Sequence, residues 1–378
     1  MTKYPLLPYS QLVFDAMRWH PGIYCFPFVL RWREGACKRE RIENVLRMVL
    51  ENHPVFSSQI DHCGKQYAVK PKDILHGQYY DISLECNGTD LYLTASFSRI
   101  LGDGKSSRIM VEDIQRAYLG MPLEPDDYWG YIERFEHLKT KPHYHISRSW
   151  LLENFSDETV PVRPSIDRCC LWSLLPVKAG LHTEDYTDLC PGIKELAETQ
   201  HLSMEGFFSL CTALAIAEYC STDRAALTWA YQGREMPDEQ RVIGSLHRDV
   251  PFVIKRTDDR LKDKQSLIVE ARNQIRAGIA HSDYPYTLTA PYNRRWNYAV
   301  NVLRINDMED WLRDTDLPIE PVSVPGQKYA YALLDVEIHE HSQNLGLWFR
   351  YSATHYKQES IRRFAALLHQ YAQWLVEE

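Results

Sequence analysis

The sequence has no Cys-x-x-Cys spacing, no apolar run near membrane-spanning length and no stretch crowded with basic residues. Each absence removes a class of function. Nine cysteines lie scattered without paired spacing, which argues against a zinc knuckle, a thioredoxin-like redox site or a disulfide framework. Reduced thiols and a cytoplasmic location are the expectation. A membrane helix needs about 20 consecutive apolar residues, and none is found, so no membrane association is expected. Residues 1–22 contain prolines and polar side chains rather than the continuous apolar core of a signal peptide. The formal charge is −8, with 43 basic and 51 acidic residues interspersed. Nucleic-acid binding depends on a concentrated basic surface, so it is not expected. No short-period repeat or low-complexity segment occurs.

What is present describes a globular protein with mixed α and β structure. At 378 residues the chain exceeds the size at which one hydrophobic core keeps growing. Two lobes are therefore expected, at 1–160 and 161–378, with a polar, proline-containing crossing at 156–164. Residues 26–32 are apolar and β-prone. Residues 39–52 place Ile42, Val45, Leu46, Val49 and Leu50 on one stripe of a charged helix. His53-Pro54 ends that helix, because the residue before proline is pushed out of the α region. Ile82, Leu84 and Cys86, then Leu91, Leu93, Ala95 and Phe97, alternate as the arms of a hairpin turning at Asn87-Gly88. The second arm runs into Ser98-Arg99-Ile100-Leu101-Gly102-Asp103-Gly104, and a helix follows from about Ser106 to Tyr118. In the second half, Ser203 reads as the N-cap of a helix. Residues 226–231 read as a strand ending at Gly233-Arg234, 266–277 as a helix, 329–338 with 345–351 as a hairpin, and 359–375 as the last helix.

Several separated stretches resemble the condensation domains of nonribosomal peptide synthetases, in the same order along the chain. Tyr4-Pro5-Leu6-Leu7-Pro8-Tyr9-Ser10-Gln11 is similar to the family's opening Pro-Leu-Ser-Pro-x-Gln. Glu51-Asn52-His53-Pro54-Val55-Phe56 looks like its Arg-His-x-x-Leu-Arg segment. Ser98 to Gly104 falls where the family has His-His-x-x-x-Asp-Gly. Gly233-Arg234, Gly244 and Pro251 resemble the Gly-Arg … Gly-x-x-x-Asn-x-x-Pro stretch, and His281 to Tyr286 resembles the His-x-x-x-Pro-Phe element. The resemblance implies two chloramphenicol-acetyltransferase-like α/β sandwich lobes, arranged as a V-shaped pseudo-dimer that works as a monomer. It also implies a tunnel entered by phosphopantetheine arms of carrier proteins, in which the second motif histidine orients or deprotonates the attacking group. The motif aspartate, here Asp103, is implied to be structural, with Arg234 as its partner, and Gly104 to permit a tight turn.

The departures bear on mechanism. Counting back from Asp103, the two histidine positions hold Ser98 and Arg99. A guanidinium has no acceptor and stays charged near neutral pH, so Arg99 cannot be a general base. The loss of such a base removes about two to four orders of magnitude in rate. The family's asparagine position holds Arg248. One reading is a binding module in which Arg99 and Arg248, with His281, recognise an anion, an acyl-thioester arm, a carrier protein or a partner enzyme acting in trans. The other is an acyltransferase using a coenzyme A or phosphopantetheine thioester as substrate, with His281 or His247 as a relocated base. No bound cofactor or metal is expected.

Other signals carry less. Gly102-Asp103-Gly104-Lys105-Ser106 suggests a phosphate loop, but Arg99 stands where that motif needs glycine; the amides opening the next helix could still meet an anion. His339 and His341, and His143 and His145, share the spacing of two metal ligands without an identifiable third. Ser98, Ser106, Cys169 and Cys170 are conceivable nucleophiles, yet no Gly-x-Ser-x-Gly elbow surrounds them. Tyr128, Trp129 and Tyr131 read as packing.

Overall fold

The computed structural model describes residues 2–17, 24–33, 39–157, 159–168, 177–256, 261, 263–286, 299–305, 312, 318–322, 329–330, 332–341 and 344–377. The chain forms two compact units. The first comprises Met1–Leu138, Gln232–His247 and Asp307–Gly326; the second comprises Lys139–Tyr231, Arg248–Asn306 and Gln327–Glu378. The contiguous division expected at residue 160 therefore differs from the one observed. The proposed crossing at 156–164 lies inside the second unit, and two later segments return to the first. The later of these returns rests on a long-range strand pairing: Ile319–Val322 runs antiparallel to Cys25–Trp32, with Glu320 opposite Arg31. Arg31 binds Glu320 at 3.0 Å and Asp90 at 2.9 Å across the same sheet. Local periodicity carries no information about such a partner.

In the first unit a four-stranded antiparallel sheet has the order Ile319–Val322, Cys25–Trp32, Asp90–Ser98, Tyr80–Asn87. The hairpin between the last two closes through Gly88 and Thr89, because Asn87 already pairs with Asp90. Gly88 has φ +63°, and glycine in the first central position is what a two-residue turn of that geometry requires. The expected helix spans Arg39–Asn52, and its five stripe residues are all buried. It packs beside the helix Gly104–Tyr118, which buries Ile109, Met110, Ile114, Ala117 and Tyr118. Each fully buried aliphatic or aromatic side chain contributes about 1.5–3 kcal/mol, so this core anchors the loop that connects strand to helix.

The second unit is built on a seven-stranded mixed sheet. Its order is Tyr329–Ala330, Val177–Asp185, Asn344–Ser352, Leu334–His341, Asn301–Ile305, Arg224–Tyr231, Arg248–Lys255. The strand Asn301–Ile305 runs parallel to both its neighbours and the other pairs are antiparallel. The helix Met204–Tyr219 is buried on nearly every side, and such a helix belongs in a core. Ser203 caps it, accepting from Gly206 N–H at 3.1 Å. The closing helix Gln358–Val376 presents Ile361, Phe364, Ala365, Leu368, Ala372 and Leu375 to the same core. The expected hairpin of 329–338 with 345–351 is Leu334–His341 with Asn344–Ser352; Tyr329–Ala330 is a separate edge strand on Val177–Asp185. Among the described residues, no helix is long and apolar enough to cross a membrane.

Candidate functional site

The motif loop of the first unit is organised around one carboxylate. Asp103 sits at the N-terminus of the helix Gly104–Tyr118 with extended backbone, and its Oδ1 accepts from Ser106 N–H at 2.9 Å. An N-cap aspartate satisfies one of the orphan amides that open a helix. Arg234 then grips the same carboxylate with both terminal nitrogens, each at 3.0 Å. Leu246 N–H and His247 N–H donate to Oδ2, both at 3.0 Å. Burial would by itself raise the Asp103 pKa; the Arg234 charge and hydrogen bonds, with His247 and the Ser106 amide, outweigh it and hold the carboxyl below its ordinary value.

Arg234 is as fully engaged as Asp103. Its side chain is 1% exposed, and it also donates to the carbonyls of Val242 and Gly244 and to Ser106 Oγ. Ser106 Oγ lies 2.9 Å from Gly244 O and accepts from Gly244 N–H at 3.1 Å. A Cβ on Gly244 would stand 2.5 Å from Leu246 Cδ1 and 3.1 Å from the Tyr128 ring, so a larger residue there would make both side chains shift. Gly233 reaches φ +65°, which lets the chain turn Arg234 inward. Gly104 is different from the expectation. It begins an ordinary helix, its φ is not left-handed, and a Cβ there would meet nothing within 4 Å. The tight position is Gly102, whose Cβ would lie 2.8 Å from Ser106 Cβ.

These contacts also correct two side readings. Of the amides that open the helix, that of Ser106 is taken by Asp103, and the Ser106 side chain is buried in the clasp rather than presented as a nucleophile. Ser98 is 1% exposed, ends the strand Asp90–Ser98 and lies against Met17 Sδ at 3.3 Å. Arg99 follows, its N–H donating to Tyr24 O at 2.7 Å and its side chain partly exposed. The N-terminal helix Pro8–Met17 holds this loop from the other side through Ser10 Oγ, which donates to Ile100 O at 2.8 Å. His247 packs its ring against Tyr9, centroids 3.8 Å apart.

In the second unit Arg248 meets the two residues that follow His281, the other candidate of the same group. Arg248 opens the strand Arg248–Lys255, and its Nη1 reaches Ser282 Oγ at 2.9 Å and Asp283 Oδ1 at 3.5 Å. Its charge is thus turned toward a carboxylate of its own unit. His281 follows the helix Lys264–Ala280 and stacks on Trp150 with centroids 4.5 Å apart. Ser147 Oγ lies 3.2 Å from His281 Nδ1, and His143 flanks the ring at 5.9 Å. Burial, then the His143 charge, push the His281 pKa down, against a smaller pull from Asp283. Ser147 and Trp150 both come from the helix Pro142–Phe155, and sequence reasoning missed them. The only available signal was the four-residue spacing of His143, Ser147 and Leu151 around one helical face.

His339 is buried, stacks on Trp348 at 4.0 Å and meets Glu337, which is itself held by Arg350 at 2.8 and 3.1 Å. The Arg350 pair accounts for that acid structurally. Among the described residues no group of three His, Cys, Asp or Glu side chains converges on a metal position. Tyr128 and Tyr131 are buried packing residues and Trp129 stacks on Tyr4. Cys169 and Cys170 lie outside the described residues.

A family described as Condensation domain matches residues 82–377. The chain is similar to Nonribosomal peptide synthetase 5 of Gibberella zeae, 23% identical over 284 residues, which is 70% of this chain and 2% of that protein. It therefore spans a small fraction of the curated relative it matches. Its fold is similar to that of the condensation domain from Monacolin K polyketide synthase MokA, at a TM-score of 0.78 and 12% identity over 100% of this chain and 97% of that one. The PapA2 acyl transferase gives a TM-score of 0.78 at 13% identity over 100% of this chain and 93% of the other. Both share the chloramphenicol-acetyltransferase-like fold of condensation domains.

Proposed function

The chain belongs to the condensation-domain family, and from that premise we propose that it binds an acyl-thioester arm, carried by coenzyme A or by a carrier protein, without catalysing transfer at the usual motif position. One observation carries the reading: the Asp103–Arg234 clasp is complete and buried, while the residue at the base position is Arg99. The scaffold that fixes the loop is kept and the proton acceptor is not. A guanidinium placed there offers hydrogen-bond donors and fixed charge, suited to a thioester carbonyl or a phosphate of the arm.

The test is a thermal-shift panel with coenzyme A, short and long acyl-coenzyme A and acyl-pantetheine, run with a turnover assay on the same samples. A ligand at one hundred times its Kd adds about 2.7 kcal/mol to stability. The expected outcome is stabilisation that weakens in Arg99→Ala, with no product formed. Turnover that disappears in Arg99→Ala would refute the reading.

A second reading is supported by the environment of His281. Stacked on Trp150, contacted by Ser147 and held toward the neutral form, it has the chemistry of a general base. In this reading the protein is an acyltransferase that forms an amide or ester with His281 accepting the proton. Product formed by the native chain and lost in His281→Ala would replace the first reading with this one.

A further inference from the structure

A second network of charge in the first unit lies apart from the motif loop. His53 follows the helix Arg39–Asn52 and precedes Pro54, with φ −108° and ψ 105°. Its ring is fully buried. Nδ1 lies 2.7 Å from Asp126 Oδ2 and Nε2 lies 2.9 Å from Asp113 Oδ2. Ionised carboxylate oxygens only accept, and a neutral imidazole carries one N–H. Both contacts are therefore hydrogen bonds only when both ring nitrogens are protonated.

The two aspartates reach onward to the same returning segment. Asp113 Oδ1 binds Arg241, which also holds Glu112 at 2.7 Å, and Asp126 Oδ2 accepts from Ile243 N–H at 3.0 Å. Glu112 is in turn paired with Arg108 at 2.7 Å. Arg241 and Ile243 belong to Gln232–His247, the segment that carries Arg234 and Gly244 to Asp103.

We propose that His53 is a positioning residue held as an imidazolium, clamping Asp113 and Asp126 so that Gln232–His247 keeps Arg234 and Gly244 on the Asp103 loop. The inference does not depend on whether the motif loop binds or catalyses. It makes the loop's order depend on pH. Burial alone would lower the His53 pKa; the hydrogen bonds and charges of Asp113 and Asp126 outweigh it and raise the value above 6.5. A folded pKa above the unfolded one gives stability that is complete below about 6.5 and lost as pH rises through the folded value. The groups facing this ring are Asp113 and Asp126, with Arg241, Glu112 and Arg108 behind the first and the Tyr128 hydroxyl near the second.

Nitrogen-15 NMR of histidine-labelled protein reads the two ring nitrogens directly. Both protonated on His53 at pH 7 is the expected result, and one bare nitrogen at that pH overturns the proposal. Asp126→Asn removes one of the two charges, so His53 should lose its proton at lower pH; an unchanged titration also overturns it. The link to the loop is read by hydrogen exchange at Leu246 and His247, whose amides donate to Asp103. Corrected for intrinsic rates, exchange in the native protein should rise as pH climbs above neutral. In His53→Gln it should be faster by about tenfold at pH 7 and lose that pH dependence. Native exchange that stays flat across the alkaline range refutes the coupling, whether or not the variant folds.

Discussion

The clasp around Asp103 and the cluster around His281 use similar residue types to different ends. In the first, a buried arginine and a buried aspartate are heavily engaged: Ser106, Arg234, Leu246 and His247 all donate to the carboxylate, and the guanidinium also donates to backbone carbonyls and the Ser106 hydroxyl. In the second, Arg248 reaches Ser282 and Asp283, and His281 lies against the Ser147 hydroxyl and between the Trp150 and His143 rings. A fully satisfied buried charge pair fixes geometry and is strongly destabilising to break from one side. A partly exposed imidazole beside a hydroxyl keeps the capacity to exchange protons. The first unit therefore carries a fixed charge pair and the second a titratable side chain.

That contrast can be broken by substitution. Arg234→Ala leaves Asp103 buried without its countercharge and should cost about 3–5 kcal/mol in denaturant unfolding. A loss below about 1 kcal/mol would mean that the clasp is not the anchor of the loop. Gly244→Ala forces a methyl group against Leu246 and Tyr128, and overpacking of this kind costs about 1–3 kcal/mol. The same substitution at Gly104, where a Cβ meets nothing, should be neutral or slightly stabilising, since alanine favours the helix by up to about 1 kcal/mol. If the two glycines respond alike, the assignment of the tight approach is wrong. In the second unit Ser147→Ala should cost only about 0.5–1.5 kcal/mol while changing the His281 titration followed by NMR.

The pH responses sharpen the contrast further. The Asp103 carboxyl is held below its ordinary value, so its contribution is present above about 3.8 and is lost as pH falls through the folded value. His281 is also held low, so stability linked to it is complete above about 6.5 and declines as pH falls below that point. The stability of His281→Ala should therefore vary less with pH than the native protein's just below 6.5, by a small margin because the ring is partly exposed. The contributions linked to Asp103 and His281 are lost in acid, whereas that of His53 is lost in base.

Much of the secondary structure was legible in the sequence. The helix at 39–52 coincides with its apolar stripe, Ser203 caps as its residue type suggests, and the strand, loop and helix around Asp103 follow from alternation and glycine, although the Asp103 cap itself was not read. The helix Pro142–Phe155 was not legible, because its polar and apolar residues are mixed around most of its circumference. The role of Gly104 was misread for a related reason: spacing gives a glycine's place in a motif, but only the neighbours' positions say which glycine is crowded.

The family resemblance could be posed from the sequence, and it implied both the motif position held by Arg99 and the partnership of Asp103 with Arg234; residue identity alone then settles that an arginine cannot accept a proton. Which segments share a unit could not. Ile319 pairs with Trp32, and Gln232–His247 returns to the first unit to reach Asp103, Asp113 and Asp126. Neither leaves a local periodic trace. The protonation of His53 was equally hidden: a histidine's charge is decided by what meets its two nitrogens, and here those partners lie 60 and 73 residues away along the chain.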